Sequence, residues 1–350
     1  MSSAIQPPLS SYSPEYLSEY SGDILRDVAI AFSVLEIGFV SLRFTAKAAG
    51  NNPFGVDDLL VVAALVACLG LNATCLFVIH AGGVGWHLVV VELTMPEKLV
   101  PWRKGLFINP ILYIAAILFG KLAILIFYSR IFVTRSQRIA TYSLIAITIA
   151  IGIANSIASV LECIPLQHLW DRNIEGSCFD IPAFYRYSTM PNVITDVAML
   201  LLPIPTVWNL HTSLRVKLGL TVTFLAGSIG LIASIVRTVA FFRHDPLEDG
   251  TWASVVFLTW AVIESGCYLI ASCSLCFRPL LNMLASFNFC RGSEASTPSR
   301  TWKTFFSSSN RSSASGRHNS ILLIRRDTHI VVTAGANTQQ GPQSSEEALV

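Results

Sequence analysis

Charged side chains are scarce in this chain of 350 residues. Asp, Glu, Lys and Arg together make up 13% of it, whereas hydrophobic residues make up 53%. Soluble globular proteins carry about 25% charged residues, so this composition excludes an ordinary soluble domain. The net charge of +2 is too small to indicate a nucleic-acid partner. The first 23 residues contain neither Lys nor Arg, and we expect no cleaved signal peptide there.

Long apolar runs account for the low charge. A hydrocarbon core about 30 Å thick needs about 20 apolar residues of helix to cross it. The runs do not alternate every second residue, which favours helices over barrel strands. We therefore predict an all-α integral membrane bundle of seven transmembrane helices. The runs span approximately Ile24–Leu42, Asp58–Ile79, Leu106–Tyr128, Ile139–Leu161, Tyr187–Asn209, Lys217–Ala240 and Ser254–Phe277.

Basic residues predict the orientation of this bundle. They are about twice as dense in the connections after the first, third and fifth runs as in the other connections, where acidic residues are frequent. Connections rich in Lys and Arg stay in the cytosol. We therefore place the N-terminus outside or in the lumen and the C-terminus in the cytosol, in a multi-pass protein of the plasma membrane or of a secretory-pathway membrane.

Three segments follow from the composition. We expect a short extracellular or lumenal N-terminal segment over 1–23, a seven-helix membrane domain over 24–281, and a disordered Ser/Thr-rich cytosolic tail over 282–350. The expected partner is the lipid bilayer. A small lipophilic ligand or intermediate and a cytosolic partner of the tail are further candidates.

Two of the eight cysteines lie in the connection after the fourth run, on the side predicted to be oxidising. Cys163 and Cys178 are expected to form a disulfide rather than two free thiols, because the compartment favours it. Closing the loop between them would contribute about 3 kcal/mol to stability. Most of the other cysteines fall within predicted helices, where a buried thiol behaves as a small hydrophobe.

Ionisable residues within or beside the apolar runs are the candidate site. Each costs about 2.5–3.5 kcal/mol near a helix centre unless it is paired or hydrated. Comparison of their depths in the bilayer makes Glu36 or the pair of Asp57 and Asp58 the expected partner of Lys121. It groups Asp196, Arg237 and Glu264 as a second cluster. The alternatives are a purely structural polar network or long side chains that extend to the interface. The intramembrane polar cluster comprises Glu36, Asp57, Asp58, Lys121, Asp196, Arg237 and Glu264.

Several familiar chemistries lack their signatures. The last run has no lysine for a retinal Schiff base, so no retinal is expected. The motifs Asp/Glu-Arg-Tyr and Asn-Pro-x-x-Tyr, typical of receptors coupled to G proteins, are missing. No HExxH, P-loop, GxSxG or DDxxD motif is present, and the histidines lack metal-ligand spacing. We therefore predict no cofactor and no metal, and assign no catalytic residue.

An ordered set of motifs nevertheless resembles a known family. FGVDDLLVVAALV, GGVGWH, GKLAILIFYSRIF, ECIPLQHLWD…GSC, PNVITDVAMLLLPIPTVWNL, IASIVRTV, TWAVIE and FRPLL occur in the family's order. Together they resemble the fungal rhodopsin-like membrane proteins of satratoxin-type clusters and of receptor-like proteins. The resemblance covers about residues 28–281. It implies a seven-helix membrane protein in fungal membranes but no single activity.

The family pattern extends to individual positions of this chain. Two departures stand out: Ala123 replaces a usual serine near Lys121, and Leu275 most closely matches the position of a usual proline. The matching positions are Arg43, Asp57, Asp58, Gly83, Gly85, His87, Lys121, Arg130, Cys163, Pro165, Trp170, Cys178, Asn192, Asp196, Pro203, Pro205, Ser234, Arg237, Trp260, Glu264, Arg278 and Pro279.

Three functions fit these observations. The first is an accessory membrane component of a secondary-metabolite cluster without an assigned catalytic activity. The second is a receptor-like sensor, in which the stapled loop with Trp170 and the connection with Trp86, His87 and Trp102 form a lid over a pocket. These aromatic residues are alternatively interfacial anchors. The third is a membrane-embedded cyclase that uses Glu264 and Asp196 as general acids.

Overall fold

The computed structural model describes residues 12–50, 53–132, 134–171, 174–204, 214–243 and 249–274. The predicted tail over 282–350 lies outside these ranges, as do Pro205, Leu275, Arg278 and Pro279.

Helices dominate the described part of the chain. Six long helices, each of 21 residues or more, precede the last helix, which has 25 residues. Two short helices lie at one end of the bundle. Helix α5 begins at Leu99, seven residues before the predicted start of its apolar run. The helices are α1 (Pro14–Ser18), α2 (Gly22–Ala49), α3 (Val56–Gly82), α4 (Leu88–Thr94), α5 (Leu99–Ile131), α6 (Arg135–Val160), α7 (Ile181–Leu201), α8 (Leu214–Arg243) and α9 (Gly250–Ser274).

Six of these helices, α2, α3, α5, α6, α8 and α9, are long and apolar enough to cross a membrane. The chain is therefore a multi-pass, all-α membrane protein. Helix α7 occupies the place of the predicted fifth crossing, but the apolar run that contains it continues to residue 209, beyond the described residues. The count of seven crossings and the orientation of the bundle stay predictions.

Helix α9 is the most buried of the six apolar helices and packs against α8, α2, α5 and α3. Helices α3 and α5 form another extensive contact, and α7 packs between α6 and α8. Helix α6 is the least buried, so its apolar residues face outward. A helix that buries little of its apolar surface against protein is stable in lipid, because lipid tails solvate that surface.

Glycines allow the chain to turn tightly after α3. Gly83 ends this helix with a φ of 68°, and Gly85 has a φ of 109°, a region that favours glycine. A Cβ on Gly85 would lie 2.6 Å from the backbone nitrogen of Gly22, so a side chain would collide with the start of α2. The turn therefore packs directly against the N-terminal segment, which donates a hydrogen bond from the Ser21 amide to the Gly85 carbonyl.

The predicted disulfide is confirmed. Cys163 and Cys178 are bonded, with 1.98 Å between the sulfur atoms. They lie opposite each other in a small antiparallel ladder formed by β1 (Cys163–Ile164) and β2 (Ser177–Cys178). A short 3-10 helix over Leu166–Leu169 lies within the closed loop, which connects α6 to α7.

Candidate ligand cavity and buried ion pairs

Lys121, in the middle of α5, forms an ion pair with Asp196 of α7. Its Nζ lies 2.5 Å from Oδ1 of the aspartate, and both side chains have 0% exposure. The ammonium also donates to the hydroxyl of Thr195 at 3.2 Å and lies 5.4 Å from the ring centre of Tyr268. The prediction that Glu36 or the aspartate pair holds Lys121 is therefore wrong. Depth in the bilayer does not specify the rotation of each helix about its axis, and it is this rotation that directs the lysine towards α7.

A second buried ion pair joins α8 to α9. Nε of Arg237 lies 3.1 Å from Oε2 of Glu264, which also accepts a hydrogen bond of 2.9 Å from the hydroxyl of Tyr113. The guanidinium donates to the same hydroxyl and lies over the tyrosine ring, 4.2 Å from its centre. The predicted contact between Arg237 and Glu264 is present, and Asp196 and Lys121 are near enough to interact electrostatically with Glu264. Four helices thus share one charged centre.

The aspartate pair at the start of α3 has different partners. Arg43 donates to Asp57 at 2.6 Å and to Asp58 at 3.0 Å, while Nζ of Lys47 lies 2.6 Å from Asp58. Arg130, at the end of α5, lies 2.9 Å from Asp57 and is 53% exposed. These residues connect the ends of α2, α3 and α5. Basic residues one turn apart at the end of α2 were the signal that could have identified this pairing.

Glu36 stands apart from both clusters. One of its oxygens accepts a hydrogen bond of 3.0 Å from the amide of Asn72, which also donates to Ser33. The other oxygen has no hydrogen-bond partner among the residues that the structure describes. Asn72 was not among the predicted polar residues, although an amide in the middle of an apolar run is itself a polar signal.

A cavity of about 410 Å³ lies between α5, α6, α7, α8 and α9, next to the charged centre. Arg237 and Tyr113 of that centre line the cavity, together with Asn192 of α7. Leu169 of the disulfide-bonded loop and Leu88 of α4 line it too. Much of the wall is aromatic, from Trp102, Phe184, Tyr185, Phe241 and Phe257. A largely apolar cavity of this size with a few polar groups is typical of sites for small molecules.

Glu162 lines the cavity and was not among the predicted site residues. It lies two residues after the end of α6, is buried, and accepts a hydrogen bond from the hydroxyl of Tyr185. Burial raises the pKa of the Glu162 carboxyl to about 7, and the bond from Tyr185 lowers it in part. A glutamate between an apolar helix end and a half-cystine was the available signal.

The predicted lid is present only in part. Trp102 lines the cavity, whereas His87 is sandwiched between the rings of Tyr16 and Trp252, with centres 3.7 and 4.2 Å away. Nδ1 of His87 also contacts the carboxylate of Asp249. These contacts attach the N-terminal segment to the start of α9, so His87 holds the ends of the helices together beside the cavity.

No group of three or more His, Cys, Asp or Glu within the described ranges has the geometry of a metal site. Four cysteines, Cys68, Cys75, Cys267 and Cys273, are free and buried in the helices.

Comparison with known proteins identifies the family. A model of the fungal rhodopsin domain matches residues 42–283, more than half of the chain. The chain belongs to the fungal rhodopsin domain family. This fungal rhodopsin domain includes the ion pairs, the cavity and the disulfide described above. No solved structure matches the chain.

Curated relatives of this fungal rhodopsin domain protein come from several fungi. A polyenoic acids biosynthesis gene cluster protein of Metarhizium anisopliae is 34% identical over 76% of this chain and 76% of its own length. A SAT4 family membrane protein of Emericella nidulans is 34% identical over 52% of this chain and 47% of its own length. A wortmanamides biosynthesis cluster protein of Talaromyces wortmannii is 29% identical over 74% of this chain and 70% of its own length.

The positions on which the sequence resemblance was based fall into a few structural roles. Arg43, Asp57, Asp58 and Arg130 form the cluster at the ends of α2, α3 and α5, and Lys121, Asp196, Arg237 and Glu264 form the charged centre. Ala123 packs in an apolar cluster with Leu269 and Cys273. Residues two apart do not share a helix face, so Ala123 lies on a different side of α5 from Lys121.

Proposed function

We propose that this protein binds a small lipophilic molecule within its membrane domain and serves a fungal secondary-metabolite cluster as an accessory component. The cavity beside Arg237 is the observation that carries the proposal. The names of two of the relatives compared above, both biosynthesis cluster proteins, support the cluster role. In this proposal the bundle has seven crossings, with α7 as the fifth, and the N-terminus lies outside.

The lining of the cavity favours binding over catalysis. Aromatic and aliphatic side chains predominate, and the polar groups are few. Asp196 and Glu264, the acids considered for a cyclase, are both held in ion pairs with basic residues. A carboxylate that balances a buried cation loses that ion pair when it takes up a proton, so these two residues are poorly suited to general acid catalysis.

A receptor-like role is the second candidate, and one observation favours it. Arg237 lines the cavity while its guanidinium pairs with Glu264, which interacts with Lys121 and Asp196. A ligand in contact with Arg237 would therefore act on a charged centre shared by four helices. Interfaces of this kind can have two arrangements that a ligand shifts.

Gene deletion and complementation test the proposal. The gene is deleted from the fungus that carries it. The deletion strain is then complemented with the wild-type gene, with the Leu258→Trp variant or with the Leu225→Trp variant. Leu258 lines the cavity, whereas Leu225 is 57% exposed on α8, so the same substitution fills the cavity in one case only. Metabolites are compared by liquid chromatography and mass spectrometry.

We expect the deletion to remove or alter the products of a neighbouring biosynthetic cluster. Wild type and Leu225→Trp should restore them, and Leu258→Trp, at matched protein abundance, should not. Unchanged metabolites in the deletion strain would contradict the accessory role. A loss of response to an external compound, with all metabolites unchanged, would favour the receptor-like role.

A further inference from the structure

We propose that the cavity selects lipophilic amines and that Glu162 is the residue that selects them. This inference rests on the proposed ligand-binding function and adds a ligand class to it. The ammonium group would pair with the Glu162 carboxylate, and the apolar body would lie along the aromatic wall.

Glu162 is a buried carboxyl that faces the cavity without a cationic partner. Its side chain accepts a hydrogen bond from the hydroxyl of Tyr185. Across the described ranges, no Lys or Arg forms an ion pair with it. A buried carboxylate is costly unless a cation or several donors satisfy it, so a cationic ligand would supply what the protein does not.

The other charges of the cavity do not take over this role. Arg237 is balanced by Glu264, and its guanidinium lies against the ring of Tyr113. Glu92 of α4 and Arg103 of α5 line the cavity as well, and their charges are opposite in sign. The formal charges of Glu92 and Arg103 offset each other, and that of Arg237 is offset by Glu264, so the carboxylate of Glu162 is the charge left over, and it repels an anionic ligand. The balance of charge therefore favours a cation.

Stacked rings extend from Glu162 along the wall. The ring of Tyr185, whose hydroxyl bonds to Glu162, stacks on Phe241 with 6.0 Å between centres. Phe241 in turn stacks on Phe257 at 4.1 Å. All three line the cavity. Aromatic faces attract ammonium groups and bury apolar ligand surface, so one continuous wall suits both ends of a lipophilic amine.

The pKa of Glu162 makes the selection depend on pH. Burial raises this pKa to about 7, so the empty site holds a proton below that pH. An ammonium favours the carboxylate, so binding below pH 7 releases this proton to solvent. The titratable and charged groups that face the cavity with Glu162 are Tyr185 of α7, Glu92, Arg103 and Arg237. We expect amine affinity to rise as pH increases through 7, while the amine itself stays protonated.

Isothermal titration calorimetry on protein in lipid nanodiscs tests the proposal. The probes are 4-phenylbutylamine, 4-phenylbutanol and 4-phenylbutyrate, which share one apolar body, and heats from empty nanodiscs are subtracted. At pH 8 the wild type should bind the amine about tenfold more tightly than the alcohol, as expected for one charge-assisted contact. The Glu162→Gln variant should lose this preference and bind the alcohol as before. Glu175→Gln, an exposed position in the same connection, should keep it.

The outcomes separate the two proposals. Tightest binding of the butyrate, or an amine preference that survives Glu162→Gln, would overturn the selectivity for amines. Alcohol binding that Leu258→Trp abolishes, without any amine preference, would leave the ligand-binding function in place and refute only the selectivity. Absence of binding by all three probes would count against both. If Glu162→Gln does not fold, the wild-type ranking of the probes and its change between pH 6 and pH 8 decide the question.

Discussion

Lys121 and Asp196 form an ion pair of 2.5 Å in which neither side chain has any exposed surface. The pair joins the middle of α5 to α7, the helix whose apolar run extends beyond the described residues. Removal of either partner would leave the other charge buried, which typically costs about 3–5 kcal/mol.

A double-mutant cycle measures this coupling. Lys121→Ala and Asp196→Ala should each destabilise the protein by about 3–5 kcal/mol, and the double variant should be more stable than the sum of the two losses predicts. Thermal unfolding in detergent gives the values. Lys121→Ala with Glu36→Ala is the matched control and should be additive, because Glu36 bonds to Asn72 instead. Coupling to Glu36 without coupling to Asp196 would refute the observed pairing.

Glu36 was the expected partner of Lys121 and Asp196 is the observed one, and this difference indicates what a sequence can predict. The apolar runs identify the helices, because crossing a bilayer requires length and hydropathy, both of which are local properties. The partner of Lys121 depends on helix order and rotation, which packing determines. Cys163 and Cys178 were predictable since they share one connection and one compartment. Glu162 was missed because its hydrogen-bond partner, Tyr185, lies on α7, elsewhere in the sequence.

The cluster at the ends of α2, α3 and α5 contains one buried and one exposed arginine. Arg43 is 2% exposed and Arg130 is 53% exposed, although both pair with Asp57. Arg43→Ala should therefore cost about 3–5 kcal/mol, and Arg130→Ala at most about 1 kcal/mol, because solvent screens the exposed pair. Unfolding in urea or with temperature compares the two variants directly. Equal losses would show that Arg130 is less hydrated than its exposure indicates.

The orientation of the bundle is open to a direct test. We predict that a glycosylation acceptor fused before Pro14 is modified and that one fused to the C-terminus is not, because basic residues are denser in the connections after α2 and α5. Gel mobility before and after glycosidase treatment reports the modification. A glycan on the C-terminal fusion alone would reverse the orientation, and glycans on both would indicate an even number of crossings.

The disulfide should contribute to stability through the loop that it closes. Replacing Cys163 and Cys178 together by serine should lower the free energy of unfolding by about 3 kcal/mol. Mass spectrometry of unreduced peptides should find the two cysteines linked. A double Cys68→Ser and Cys75→Ser variant is the control, since these thiols are free. Alkylation of both Cys163 and Cys178 in unreduced protein would contradict the bond.

Glu162 should make the stability of the empty protein depend on pH. Because the folded protein holds the Glu162 proton with a pKa of about 7, above the ordinary value of 4.5, the folded state binds this proton more tightly than the unfolded state does. The contribution to stability is therefore fully present below about pH 4.5 and is lost as pH rises through 7. Melting temperature measured from pH 5 to pH 8 should fall in the wild type and fall less in Glu162→Gln, which cannot ionise.

Tyr185→Phe removes the hydrogen bond that favours the carboxylate, so it should steepen the fall of melting temperature with pH. Identical pH profiles for wild type and Glu162→Gln would mean that Glu162 is hydrated and does not face a dry cavity.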